Sequence, residues 1–239
     1  GNAFGGDVVS MSFGTGSNVF ITNADVLAGQ AALSTAAEDG RGGLGQIHVK
    51  SSGNSRAAPN STAREEGVAE AADSSKYTIS VAALRQDGWV TDFSTPGANV
   101  FVSAFADNTS NNSAIYTTTS SSDTAFTSSF GGTSAAAPQV AGVVALMLDA
   151  NPTLGWRDVH EIIALSARHT GSDVGSLANS GAPSGGGHEQ ATKGATGTWQ
   201  YNGANGPITW NGGGFHVSND YGFGMIDAKA AVRLAETWE

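Results

Sequence analysis

One stretch limits the folds open to this chain more than any other: "GGTSAAAPQVAGVVALMLDANP", residues 131–152. Val140, Val143, Val144, Leu146 and Met147 stand among small residues, so the stretch reads as a helix apolar on nearly every face, which has to be buried. Asp149 and Pro152 stop it short of the ~18 apolar residues that a membrane span needs. Ala135, Ala136 and Ala137 leave room for another segment to approach. Pro138 is expected one turn inside, where a missing N–H is tolerated because first-turn donors lack intrahelical partners. Ser134 then stands where a loop becomes a buried helix. It reads either as a helix cap, accepting a bond from a first-turn N–H, or as a nucleophile. The second reading draws on the positive end of the helix dipole and on backbone N–H groups able to hold a developing oxyanion.

Around this helix the pattern alternates. "DVVSMSF" reads as a buried strand, "NADVLAGQAALSTAAEDG" as a helix capped by Asn23 or Asp25, and "GQIHVKSS" and "YTISVAAL" as further strands. Strand, helix, strand at this spacing implies a parallel sheet and an α/β fold. "VTDFSTPGANVFVSAF" predicts two short strands around a Thr95-Pro96-Gly97 turn, and "AIYTTTS" with "DTAFTSSF" predicts a hairpin. "GWRDVHEIIALSARH" predicts an amphipathic helix through Val159, Ile162, Ile163 and Ser166, and "YGFGMIDAKAAVRLAETW" a turn and a terminal helix. The 239 residues, 39% of them apolar, suffice for one core and one domain, residues 1–239. The Gly-rich run at about 179–197 is expected as a loop inserted within it.

Gly132-Thr133-Ser134-Ala135-Ala136-Ala137-Pro138, followed by Val140-Ala141-Gly142, closely resembles the nucleophile segment of subtilisin-like serine proteases, and its triple alanine resembles the kexin and furin branch. Three more segments agree in order: "VVSMSFG" at 8–14 with the family's substrate-binding strand, "HVKSSGN" at 48–54 with its oxyanion-asparagine loop, and "SNDYGFGMIDAKAAVRLAETW" at 218–238 with the end of the kexin-type catalytic domain. The resemblance implies a three-layer α/β fold, a mainly parallel central sheet flanked by helices, with its N-terminal part missing. It also implies a serine endopeptidase that works through an acyl-enzyme on Ser134.

Residue by residue, the resemblance assigns Asn54 as an oxyanion donor through its side-chain amide, beside the Ser134 backbone N–H. By itself Asn54, in a Gly-Asn pair, also reads as a turn residue. Ser12, Phe13 and Gly14 match the strand on which extended substrates lie, a form of strand addition. Ser51, Ser52 and Gly53 match the opposite wall of the pocket for the residue before the scissile bond. Gly132 and Thr133 complete the cleft, although Gly131-Gly132 also suits a simple turn.

Serine needs a general base and an orienting carboxylate, and in this family the chain order is Asp, His, Ser. The family's aspartate strand and His-Gly-Thr motif both precede the segment that "VVSMSFG" resembles. None of the five histidines, His48, His160, His169, His188 and His216, stands in such a motif. The base and carboxylate are therefore expected on an absent upstream segment, and the chain alone is expected to be a poor protease. Cleavage after basic residues would need pocket acids. "SFGTGSN" has none, and by resemblance to the kexin branch Glu65 and Glu66, which follow the Asn54 loop, are the candidate specificity acids. No cofactor is required for the chemistry. Calcium commonly braces the family, but no Asp-x-Asp-x-Asp-Gly loop is present, so a structural calcium is implied by kinship alone.

A net charge of −10 with 11 basic residues argues against binding a phosphate backbone. Without cysteine there is no disulfide framework to indicate a redox compartment. The expected partners are an extended polypeptide substrate, the missing N-terminal part and a following β-rich domain, with neither nucleic acid nor membrane. The family implies a secreted or periplasmic location. The competing reading is a catalytically inactive secreted module that binds or supports through the same fold. An α/β-hydrolase esterase is disfavoured because the segment lacks the second glycine of a Gly-x-Ser-x-Gly elbow.

Overall fold

The computed structural model describes residues 5–14, 24–55, 72–86, 88–91, 93–107, 115–170, 215 and 217–239. Four strands form one parallel sheet in chain order: β1 (Val8–Met11), β2 (Ile47–Ser51), β3 (Thr78–Arg85) and β4 (Val100–Asp107). Val9 stands opposite His48, Val49 opposite Ile79 and Val81 opposite Val102. Every residue of β2 and β3 is buried, as strands covered on both faces require; β3 reads as a near-continuous run of apolar and small residues, whereas β2 alternates Ile47 and Val49 with polar residues. A separate antiparallel hairpin pairs β5 (Ile115–Thr118) with β6 (Phe126–Phe130) and leads directly into the Gly-Gly-Thr-Ser segment.

Four α-helices, α1 (Ala24–Asp39), α2 (Thr133–Ala150), α3 (Trp156–Ser166) and α4 (Ala228–Glu236), and a short 3-10 helix at Gly40–Gly43 complete the described architecture. Helix α2 crosses all four strands, and Ala136, Val140, Val144 and Met147 share one cluster with Ile47, Val49, Ile79, Val81 and Val102. Each of the valine, isoleucine and methionine side chains withdrawn from water contributes about 1.5–3 kcal/mol, so packing on the sheet holds α2 in place. Helices α1 and α3 reach the sheet at β2 and β4, and α4 packs on α2 and α3. Asp227 caps α4, accepting from the Ala230 N–H at 2.9 Å.

Several expectations need correction. Helix α2 is buried on its sheet side, not on nearly every face: Leu146 is 54% exposed, and Gly142 and Ala145 are exposed too. Pro138 is the sixth helical residue, not a first-turn one, and the bond it cannot make is the one to the Ser134 carbonyl. The strand expected before the Thr95-Pro96-Gly97 turn is a single bridge between Val90 and Leu84. Asp25 lies within α1, so it does not cap it. Asn23, Glu65, Glu66, His188, His216 and the run at 179–197 lie outside the described residues.

Candidate functional site

The cleft is built where β1 and β2 end and α2 begins. A parallel sheet ends neighbouring strands on the same side, so Ser12-Phe13-Gly14, after β1, and Ser52-Gly53-Asn54, after β2, come out together. Helix α2 starts beside them. Its N-cap is Gly132, at φ 79° and ψ 172°, a backbone region essentially reserved for glycine. Ser134 is thus the second helical residue, and the cap reading is set aside because Gly132 holds that position without any side-chain bond. Half-buried, Ser134 sits within the first turn, where backbone donors have no carbonyl one turn earlier to bond.

Asn54 is fixed through Thr133. Its Oδ1 accepts the Thr133 N–H at 2.8 Å and the Thr133 hydroxyl at 2.9 Å. An N–H must face an oxygen, so the amide orientation follows: Oδ1 is committed to Thr133 and Nδ2 keeps two hydrogens to donate. A Cβ on Gly132 would come within 3.2 Å of that Nδ2. The glycine therefore serves twice, for its backbone and for the space it leaves. Thr133 itself is fully buried, which makes it a rigid support.

The other wall is tied in from two directions. The Ser12 hydroxyl donates to the Ser134 carbonyl at 3.3 Å, meeting the acceptor that Pro138 leaves without its helical donor. Buried Thr95 pins the Asn54 turn: its N–H bonds the Gly53 carbonyl at 3.0 Å, and its Oγ1 accepts the Ser55 N–H at 2.9 Å. Gly53, at φ 102°, has room for no side chain, since a Cβ would lie 2.9 Å from Thr95 Oγ1. The Ser52 N–H bonds the Val81 carbonyl at 3.0 Å, continuing the β2–β3 ladder past the end of the strand.

Lys50, next to Ser51 on β2, belongs to a buried ion pair. Lys50 Nζ meets Asp73 Oδ2 at 3.0 Å, with both side chains no more than 3% exposed. Farther along the sheet, two histidines sit in apolar surroundings. His48 Nε2 faces Gln46 Oε1 at 3.1 Å, and His160 Nδ1 donates to the Trp156 carbonyl at 2.7 Å. Burial lowers the pKa of both, and for His160 the nearby His48 adds to the effect. Both are engaged away from Ser134.

The structure thus brings together Ser134, Asn54, Thr133, Gly132, Ser12, Phe13, Gly14, Ser51, Ser52 and Gly53. Sequence reasoning missed Thr95, taken only as a turn residue, and the Lys50–Asp73 pair. A lysine inside the expected strand "IHVKSS" was the available signal for the latter, because a charge buried there has to find a partner. Among the described residues no group of three or more His, Asp or Glu side chains gathers to hold the calcium that kinship implies.

The chain is 31% identical over 209 residues to proprotein convertase subtilisin/kexin type 5 of Branchiostoma californiense, covering 87% of this chain and 11% of that one. It is 31% identical to furin-1 of Xenopus laevis and 30% identical to human furin over 199 residues, covering 83% of this chain and 21% and 20% of theirs. The chain spans at most about a fifth of the length of these relatives. Among solved structures, a serine protease of Aeromonas sobria superposes with a TM-score of 0.72 at 21% identity, over 98% of this chain and 44% of its own. A Pseudoalteromonas arctica protease gives 0.61 at 20%, over 98% and 52%. These two show the shared fold. The model of the subtilase family matches residues 3–224, and the chain belongs to that family.

Proposed function

We propose that this chain carries the nucleophile and oxyanion-binding part of a serine endopeptidase. Ser134 Oγ attacks the peptide carbonyl while a base takes its proton. Asn54 Nδ2–H and the Ser134 N–H hold the resulting oxyanion, the amine departs with a proton from the base, and water then frees the acyl group. The observation that carries the reading is the double bond from Thr133 to Asn54 Oδ1, which leaves the amide nitrogen as a preoriented donor beside the helix start.

In this proposal the base and its carboxylate come from a segment preceding β1. The outer edge of β1 has no partner strand among the described residues, so a preceding strand has a place to pair. The substrate is an extended polypeptide lying along Ser12-Phe13-Gly14, and the location is extracytoplasmic. A structural calcium is part of the proposal on family grounds alone.

The test is intact mass and sequencing of every chain in the natively purified full-length protein, before and after a fluorophosphonate. Labelling of Ser134, lost in Ser134→Ala, with an Asp and a His-Gly-Thr segment present in the same preparation, supports the reading. An unlabelled Ser134 in that preparation overturns it in favour of an inactive binding module.

A further inference from the structure

A second concave site lies away from the cleft. The cleft forms where β1 and β2 end, whereas Lys76 comes two residues before β3 begins and Phe101 is the second residue of β4, so in a parallel sheet these two mark the opposite end. There α3 and the start of β4 line an open pocket of about 360 Å³. Its wall is aromatic: Phe101 meets the His160 ring edge-on at 5.0 Å and the Phe223 ring at 5.1 Å, and Trp156 meets His160 at 5.4 Å. The His160 ring is fixed, because its Nδ1 donates to the Trp156 carbonyl at 2.7 Å. Phe101, Trp156 and Phe223 are all half-buried, so each keeps ring surface open to solvent.

We propose that this pocket is a docking site for a partner polypeptide, which inserts one large aromatic side chain flanked by acidic residues. The rim supplies the charge. Lys76 Nζ stands 4.8 Å over the Tyr77 ring and Arg157 Cζ 4.3 Å over the Trp156 ring, and the Tyr77 and Trp156 rings lie 5.2 Å apart. Among the described residues neither cation has a carboxylate within 4.0 Å, whereas Arg41, Lys50, Arg168 and Arg233 each have one. The rings hold the two side chains without neutralising them, which leaves their charge to an incoming anion. Glu161 is the acid on this rim, and the two cations outweigh it. A cationic guest, the other class that an aromatic cage suits, meets Lys76 and Arg157 and is repelled. On a chain of net charge −10, this local pair of cations gives an acidic segment a place to approach. The wall supplies the anchor, since an aromatic side chain buries about 150–250 Å² and packs edge-on against other rings. The docking site stands whether or not Ser134 is reactive.

The experiment uses the full-length protein as Ser134→Ala, so that no probe is cleaved, with short fluorescein-labelled peptides read by anisotropy. The probe carries one tryptophan among glutamates; two controls replace the tryptophan by alanine or the glutamates by lysine. The expected result is saturable binding of the probe, weakened about 30-fold by loss of the tryptophan, as for the central aromatic residue of an interface, and weakened by added salt. The Lys76→Glu/Arg157→Glu double variant, at two exposed positions, weakens it by about tenfold. Ala164→Phe, which fills the pocket from α3, abolishes it at an unchanged melting temperature; where that variant does not fold, the charge variant carries the test. Absence of saturation, equal binding of the lysine peptide, or unchanged binding in the variants overturns the proposal. Self-association in sedimentation that Ala164→Phe abolishes, with no binding of the probe, puts a second copy of this chain in the pocket and overturns it too.

Discussion

The Ser12 hydroxyl donates to the Ser134 carbonyl at 3.3 Å across 122 residues of chain, and it does so where Pro138 has removed the donor a helix would ordinarily supply. The two features are coupled. In the native background Ser12→Ala is expected to cost about 0.5–1.5 kcal/mol, the net worth of one such bond. In the Pro138→Ala background the helix supplies its own donor, and the cost of Ser12→Ala falls toward zero. Urea unfolding of the four proteins in the cycle measures the coupling; equal costs in both backgrounds would refute it.

Thr133 grips Asn54 with two donors on one oxygen, so removing the hydroxyl leaves the amide held by the N–H alone. Thr133→Val is expected to lower kcat of the full-length enzyme about 3- to 10-fold, since one neutral bond is worth roughly 0.5–1.5 kcal/mol, with KM nearly unchanged. Thr133→Ser keeps the donor and restores most of the rate. In the proposed reading Asn54→Ala removes the oxyanion donor itself, and the roughly 10²–10³-fold loss on removing such a donor from subtilisin sets the expected scale. A Thr133→Val effect confined to KM would count against the orienting role.

Gly132→Ala places a methyl group where φ is 79° and where Asn54 Nδ2 is 3.2 Å away. The backbone strain alone is about 1–3 kcal/mol. The expected outcome is a lower melting temperature together with a fall in kcat, because the clash falls on the amide. Unchanged turnover in a folded Gly132→Ala protein would show that the amide position does not matter.

Thr95→Val keeps shape and burial but takes the acceptor from the Ser55 N–H. An unsatisfied donor costs about 1–3 kcal/mol when buried, and this one is partly buried, so the lower part of that range applies. Faster hydrogen exchange at Ser55 and in the Asn54 turn, with the α2 core unchanged, is the expected signature.

Stability is expected to fall on the acid side. Burial keeps the pKa of His48 and His160 below the ordinary 6.5, so as pH drops the unfolded chain takes up protons that the folded one resists. The stabilisation is complete above about pH 6.5 and is lost below it, by at most about 1.4 kcal/mol per pH unit for each histidine. His160→Phe keeps a ring against Phe101, which it now meets edge-on at 5.0 Å, and should remove one share of the slope. Urea midpoints at pH 7.5 and 5.5 give the comparison; a pH-independent midpoint for the native protein would contradict it.

Strand β3 was legible because burial on both faces leaves a near-contiguous record of apolar and small residues, β2 because Ile47 and Val49 alternate with polar residues, and Ser134 because its loop, glycine and helix are adjacent in the chain. Leu146 misled for a related reason: an apolar residue on the open face of α2 looks the same in sequence as one beneath it. Thr95 was illegible as a support. Its effect passes through one hydroxyl to a turn 40 residues away, and no local pattern marks such a bond. Lys50 announced a partner without naming it, since Asp73 lies 23 residues on and across the segment at 56–71.

The bonds that assemble the cleft span 122, 79 and 40 residues. Contacts this distant in sequence form slowly, because loop closure has to precede any reward from them. During synthesis, a ribosome-bound chain that has emerged only as far as β4 therefore holds the Asn54 turn without the helix that orients it. In the proposed reading, reactivity at Ser134 then reports the last stage of maturation, and a chain arrested earlier stays silent.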